Sequence, residues 1–458
     1  MTGPSSAHIS WVSKNKRKTS GTDRFITPTK IDVFEKIENF EGAIALASHI
    51  YDPATGEGKA IFSGEVTGLK SSTFAYNTAL QTIIVPPTVT SLGSYVFSHI
   101  KTLTAVNLPN TITNMLFDVF YDDESLTTVN IPTSITELPS YTFGKCPSLT
   151  EITIPDNITK IGSDAFYNCT GLVQIVIPDN VTRIEEYAFS NCTGLTAINI
   201  PESVKNIGYR CFYNSSNLVK VIVPDLKAWC GISFYDKESN PLYYAHHLYS
   251  DEETEITEVV VPEGTKLINQ HVFFNGSFLK SVSIPLTVTS VGGSAFEGCE
   301  ALTELVLPDS VATINYRTFY GSGITTLTLP AQLTKIDYSA FAGMAEVSDV
   351  YCAADPAKLY WFGSDNAEAF KPEKATLFHV EDKLPWIMKF PNANVTFYDG
   401  FPLYGDVNGD GLISGADVTS LYSVLLDGTE VAGDADVNRD GVVSGADVTA
   451  LYSILLGN

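Results

Sequence analysis

The chain has 458 residues, with 28 Lys and Arg against 52 Asp and Glu and a formal net charge of −24. That balance argues against nucleic acid as a partner, since phosphate contacts need cations that displace counterions, and at roughly 150 residues per domain the length predicts about three domains. No apolar run reaches the ~20 residues of a membrane span, and residues 1–25 lack the hydrophobic centre of a signal peptide, so a secreted form would be the mature chain.

Residues 1–40 read as an N-terminal arm, partly disordered, whose Lys14, Lys16, Arg17 and Lys18 run against the acidic trend. A solvated basic arm is preferred to a binding role. Residues 41–60 are expected to cap the first of a series of repeats. A fixed period then begins: Phe74, Phe97, Phe120, Phe143, Phe166, Phe189 and Phe212 stand 23 residues apart, as do Pro86, Pro109, Pro132, Pro155, Pro178, Pro201 and Pro224. The pattern resumes with Phe273, Phe296, Phe319 and Phe341, beside Pro262, Pro285, Pro308 and Pro330. Such a period means stacked coils, each burying its apolar edge against its neighbours. In the coil Leu149–Cys169, Leu149, Ile152 and Ile154 are expected to point inward from a short strand. Pro155 ends it, having no amide hydrogen to donate. Ile158 and Ile161 return along the far side, and Ala165-Phe166 closes the turn.

These residues are similar to the BspA-like leucine-rich repeats of bacterial surface proteins, over about residues 60–350, with proline replacing the usual asparagine-containing turn. The resemblance implies an α/β solenoid, a right-handed leucine-rich-repeat superhelix with a parallel sheet of 23-residue coils, assigned here to residues 41–350. It leaves the ligand open.

Cys146, Cys169, Cys192 and Cys299 share one repeat position, three after Phe, and Cys211 replaces the small residue before Phe. Parallel Cβ vectors in a stack do not face one another, so buried free thiols are expected. The strand face carries Ile84, Asn107, Asn130, Thr153, Val176, Asn199, Ile222, Val260, Ser283, Val306 and Thr328, which are short and uncharged. The adjoining file has a single carboxylate, Glu151, in its first seven coils, whereas a glycosidase wants two facing acids. His246-His247 lacks the Cys or carboxylate spacing that would complete a zinc site. No nucleophile elbow or phosphate loop appears. No enzyme is predicted.

One coil is swollen: Pro224 to Pro262 spans 38 residues. Its extra stretch, at 225–261, holds Trp229, Phe234, Tyr235, Tyr243 and Tyr244, candidates for stacking on a sugar or peptide. The competing reading, which the anchors Leu226, Trp229 and Pro241-Leu242 favour, makes these rings a private core. Residues 351–400, with Trp361, Phe362 and Trp386, lose the period and are expected to cap the last coil. The link YDGFPLYGD is short, so the flanking domains are expected to sit close together.

Residues 401–458 say one phrase twice: DVNGDGLISGAD from Asp406 and DVNRDGVVSGAD from Asp436. Oxygen side chains fall at loop positions 1, 3, 5, 9 and 12: Asp406, Asn408, Asp410, Ser414 and Asp417, then Asp436, Asn438, Asp440, Ser444 and Asp447. Leu412 and Val442 at position 7 lend a backbone carbonyl, and Gly411 and Gly441 make the sharp turn. This is the ligand set of a hard cation, so two calcium ions are expected. Position 12 is Asp rather than Glu, and no amphipathic helix leads directly into either loop, Phe397 to Gly405 reading as turn and coil. A helix follows each, with Val418, Leu421, Tyr422, Leu425 and Leu426, then Val448, Leu451, Tyr452, Leu455 and Leu456, on one stripe. From about Tyr404 the chain resembles a type I dockerin, the small all-α calcium-dependent module that plugs secreted proteins into cohesin domains of cellulosome-type scaffoldins. The family's recognition places map to Gly415, Ala416, Tyr422 and Ser423, and to Gly445, Ala446, Tyr452 and Ser453. Many relatives carry Ser-Thr and Lys-Arg at those places, and this chain carries neither. Because 16 of 21 positions are identical between Asp406–Leu426 and Asp436–Leu456, two equivalent poses on one cohesin are expected.

The function expected is a secreted, non-catalytic recognition or adhesion protein carried on a bacterial scaffoldin at or near the cell surface, its repeats binding a protein or glycan. The alternatives are a carbohydrate-active or proteolytic component, and a structural spacer.

Overall fold

The computed structural model describes residues 8–13, 37–42, 45–52, 57–63, 65–344, 349–352, 360–361, 407–408, 414–431, 435–437 and 442–456. Two compact units emerge, Met1–Ile222 with Tyr235–Ala245, and Val223–Phe234 with His246–Asn458.

In the first unit the periodic phenylalanines form a column. Phe74 through Phe212 are all buried and stack face to face, with centroids 5.3–5.6 Å apart. Rungs of a parallel sheet repeat every ~4.8 Å, so a ring recurring at one repeat position must meet its copy. Beside the column run two short parallel ladders. One joins Leu80–Ile84, Ala105–Asn107 and Thr128–Val129, then resumes with Gln174–Ile175, Ala197–Asn199 and Lys220–Ile222. The other includes Glu137–Leu138, Lys160–Ile161, Arg183–Ile184 and Asn206–Ile207. Register is one to one at the repeat offset, with Ile161 opposite Ile184.

The coil Leu149–Cys169 departs from expectation, because residues 151–155 carry no strand and Ile152 is only half-buried. Leu149, Ile154, Ile158 and Ile161 are buried as expected. In the coil before it, Asn130 bonds through its side chain where a strand would use main chain: Oδ1 accepts from the Leu108 amide at 2.8 Å and Nδ2 donates to the Leu108 carbonyl at 2.7 Å. Asn199 treats Ile177 the same way.

The turns around each Phe supply a further hydrogen-bonded file. The amide of Phe74 donates to the Val96 carbonyl, Phe97 to Val119, Phe120 to Thr142, Phe143 to Ala165, Phe166 to Ala188 and Phe189 to Cys211, at 2.8–2.9 Å. Each accepting carbonyl and the next donating amide belong to one peptide group, so the bonds run head to tail. Two residues before and two after Phe the backbone is left-handed, as at Tyr95 (φ +59°), His99 (+61°), Tyr141 (+55°) and Tyr187 (+53°).

His8–Ser13 lies antiparallel between Glu57–Ser63 and Leu80–Ile84, and Ala45–Tyr51 pairs beyond. The cap therefore reaches into the expected arm, and residues 8–13 are a strand of it; reversed strands stop parallel growth of the ladder. The basic cluster Lys14–Lys18 lies outside the described residues.

In the second unit Phe273, Phe296, Phe319 and Phe341 stack at 5.3–5.7 Å. Its ladders run past residue 350: Asp349–Cys352 pairs with Thr326–Leu329, and Tyr360–Trp361 with Lys335–Ile336. The coil stack thus outlives the phenylalanine period, and the boundary expected at 350 falls inside it. Most of 351–400, including Phe362 and Trp386, and the link to residue 406 lie outside the described residues. The helices Gly415–Asp427 and Gly445–Leu456 follow. Among the described residues no helix is long and apolar enough to cross a membrane.

Candidate recognition surfaces

The two C-terminal helices start alike. Ser414 Oγ accepts from the Ala416 amide at 3.0 Å, and Ser444 Oγ from Ala446 at 3.1 Å. Three residues into each motif a carboxylate reaches back: Asp417 accepts from the Ser414 amide at 2.7 Å and Asp447 from Ser444 at 2.7 Å. Both acids are fully buried. Asp417 also accepts from the Asn408 amide at 3.1 Å, which ties loop position 3 to position 12. Among the described residues no Lys or Arg pairs with Asp417, and no group of three His, Cys, Asp or Glu could hold a metal. Asp406, Asp410, Leu412, Asn438 and Asp440 lie outside those residues; Asp436 is half-buried, and Val442 is exposed at the loop surface. The residues fit calcium in kind, because a buried carboxylate without a cationic side chain wants a cation and every side-chain donor is oxygen.

A small core of Val407, Val418, Leu421, Ala435, Val437, Val448 and Leu451 joins the helices. Tyr422 and Tyr452 stay outside it, 45% and 46% exposed. Gly415, Ala416, Gly445 and Ala446 are exposed and Ser423 half-buried; the Ser453 side chain lies outside the described set. The two faces match residue for residue wherever both are described.

The swollen coil divides its aromatics. Asp225 caps the helix Leu226–Cys230, its carboxylate accepting from the Ala228 amide at 2.7 Å. That helix turns Trp229 (1% exposed) inward onto Phe234, which is fully buried, rings 5.2 Å apart. Trp229 and Phe234 are therefore unavailable to a ligand, which corrects their place among the candidates. Tyr235 is 69% exposed, while Tyr243 and Tyr244 are half-buried with rings 4.7 Å apart. The Tyr244 hydroxyl accepts from the Asn214 amide at 2.7 Å. His247 pairs with Glu255 at 2.6 Å and His246 with Asn275, so the histidine pair is engaged internally.

The thiols of Cys146, Cys169, Cys192 and Cys299 donate to the carbonyls of Phe120, Phe143, Phe166 and Phe273 at 3.0–3.2 Å. Burial pushes Cys169 and Cys299 up to about 12. With Cys211 they are free and buried, as expected from the repeat, and so is Cys230 of the insert, to which the repeat assigns no place.

One surface escaped the sequence reading. On the turn edge of the first unit Tyr76 stacks on His99 (4.5 Å), which meets Tyr121 edge-on (5.5 Å), which meets Tyr141 (5.7 Å). Tyr95 meets Phe117, and Tyr187, Tyr209 and Tyr235 form a second chain. Burial, then the Asp164 charge, pushes the Tyr141 phenol up to about 12, and burial raises Asp164 to about 6. The signal lay in the offsets: Tyr95, Tyr141 and Tyr187 each precede a periodic Phe by two.

The profile of the BspA type leucine rich repeat region, in six copies, matches residues 67–188, 117–240 and 248–360. That of the dockerin type I domain matches 404–456. Comparison with curated proteins yields no match. Among solved structures, a leucine rich cell surface protein from Faecalibacterium prausnitzii A2-165 is 22% identical, covering 76% of this chain and 90% of its own, at TM-score 0.44. A leucine-rich repeat protein from Bacteroides ovatus is 20% identical, covering 71% and 100%, at 0.32. The pneumococcal vaccine antigen PcpA is 16% identical, covering 76% and 97%, at 0.40. With the repeat profile spanning more than half of its length, the chain belongs to the BspA-type leucine-rich-repeat family and carries a type I dockerin domain.

Proposed function

We propose that this is a secreted, non-catalytic recognition protein, docked on a cohesin-bearing scaffoldin at or near a bacterial cell surface. Its dockerin, residues 401–458, binds two calcium ions through Asp406, Asn408, Asp410, Leu412, Ser414 and Asp417 and their counterparts 30 residues on. The cohesin reads Gly415, Ala416, Tyr422 and Ser423, or the matching Gly445, Ala446, Tyr452 and Ser453. The repeats, from the cap at 41 to about 350 and into the following segment, hold a protein or glycan, with Tyr235, Tyr243 and Tyr244 of the insert among the contacts.

The observation that carries this reading is the pair of buried position-12 carboxylates, Asp417 and Asp447, each held by its own serine amide at the head of a matching helix. Calcium draws the loop ligands together, so affinity for partner follows metal. A panel of cohesins titrated by calorimetry in calcium should yield at least one tight binder whose heat disappears in EDTA. Binding unaffected by chelation, or none across the panel, defeats the proposal.

A further inference from the structure

We infer that the turn edge of the first unit is a binding surface for a neutral, linear polysaccharide. The inference rests on the reading of the repeats as a recognition domain and names its ligand class. Bulky residues avoid the left-handed region, yet here it holds Tyr76 (φ +61°), Tyr95 and Tyr187, where glycine would sit without strain. The second unit shows the cheaper solution at the position equivalent to Tyr76, with Gly298, Gly321 and Gly343. At that of Tyr95 and Tyr187 it holds His271, Ser294, Arg317 and Ser339, so the turn itself does not call for a ring at either place. Rings kept against a local rule, and left outside the core, point to a task other than folding. Tyr76 is 69% exposed.

The charges along this edge favour an uncharged ligand. Asp122 is already engaged by Lys101 and His99, both at 2.7 Å, and Arg210 by Glu238 at 2.9 Å. Lys145 and Arg210 lie over the faces of Tyr121 and Tyr209. A cationic peptide meets Asp122 and Glu238 already paired with cations and Asp118 and Asp164 buried against tyrosine phenols, and an anionic polymer meets a chain of net charge −24. A neutral sugar chain needs neither field. It offers C–H faces to the rings and hydroxyls to phenols and carboxylates, and its regular repeat suits a surface that repeats rung by rung. Tyr235 continues this edge, 5.4 Å from Tyr209, so the insert's exposed ring belongs to it.

The test uses the full chain in affinity electrophoresis and calorimetry against hydroxyethylcellulose, arabinoxylan and soluble starch, with polygalacturonate and polylysine as charged controls. At least one neutral polymer should retard the protein. The triple variant Tyr76→Gly, Tyr95→Gly, Tyr187→Gly should bind it at least tenfold more weakly, with its melting temperature held or raised because glycine accepts positive φ. No neutral polymer bound, retention by the charged polymers alone, or undiminished affinity in the variant each overturns the inference. Cohesin binding, measured in parallel, fails or succeeds separately and reports only on docking.

Discussion

Asp123 stands where Cys146, Cys169, Cys192 and Ser215 stand in later coils, three residues after the periodic phenylalanine. Those side chains donate a hydrogen to a carbonyl 26 residues back, Ser215 Oγ to Phe189 at 2.8 Å; a carboxylate has none to give. Asp123 is fully buried, its Oδ1 accepts from the Ile100 amide at 2.7 Å, and its Oδ2 has no partner. Burial raises its pKa well above the usual carboxylate range. With the folded value above the unfolded one, its contribution is intact below about pH 4 and is lost as pH climbs toward the folded value. Asp123→Ser is expected to add about 1–3 kcal/mol at pH 7 and little near pH 4, read by urea unfolding at both. An equal gain at the two pH values would show that ionisation is not the cause. The cysteine position was legible because several coils repeat it; Asp123 was not, since one acid in a file of thiols looks like surface variation until burial is known.

At the scale of elements, the insert shows where sequence reading stops. An aromatic-rich stretch announces that rings are present, but the helix Leu226–Cys230 decides that Trp229 turns in while Tyr235 stays out. Trp229→Ala should therefore cost about 3–5 kcal/mol, and Tyr235→Ala less than about 0.5 kcal/mol, in thermal melts of the whole chain. Similar losses from both would mean that Tyr235 is structural too. The dockerin helices were more transparent, since residue spacing marks both and Val418, Leu421, Val448 and Leu451 of the expected stripe are buried, although Leu426 is 78% exposed; the serine caps were not foreseen. Tyr422 and Tyr452 sit at equal exposure on equivalent helices, outside the small core. Either Tyr→Ala change alone should leave cohesin affinity within about twofold, the other face serving, while the double change should cost more than about 2 kcal/mol, the scale of an interface anchor. One single change that abolishes binding, with calcium affinity and melting intact, rules out paired faces.

For the molecule as a whole, the column of phenylalanines was readable from period alone, because identical spacing forces identical neighbours. Breaks in the ladder and the strand His8–Ser13 were not, since both depend on pairings between distant segments that no local pattern records. The file of peptide groups through the phenylalanine column has an electrical consequence. Each group carries a dipole of about 3.5 D, and all six bonds point their N–H toward later coils. They add as the groups of an α-helix do, with the positive pole at the Phe212 end. There the Phe212 amide donates to the Glu238 carbonyl at 3.2 Å and the Arg210 amide to the Asp236 carboxylate at 3.3 Å. Asp236 and Glu238 come from the insert. In this unit the inserted segment closes the column much as an acidic residue closes the N-terminus of a helix, setting negative charge against a pole that an ordinary coil would have passed on to the next.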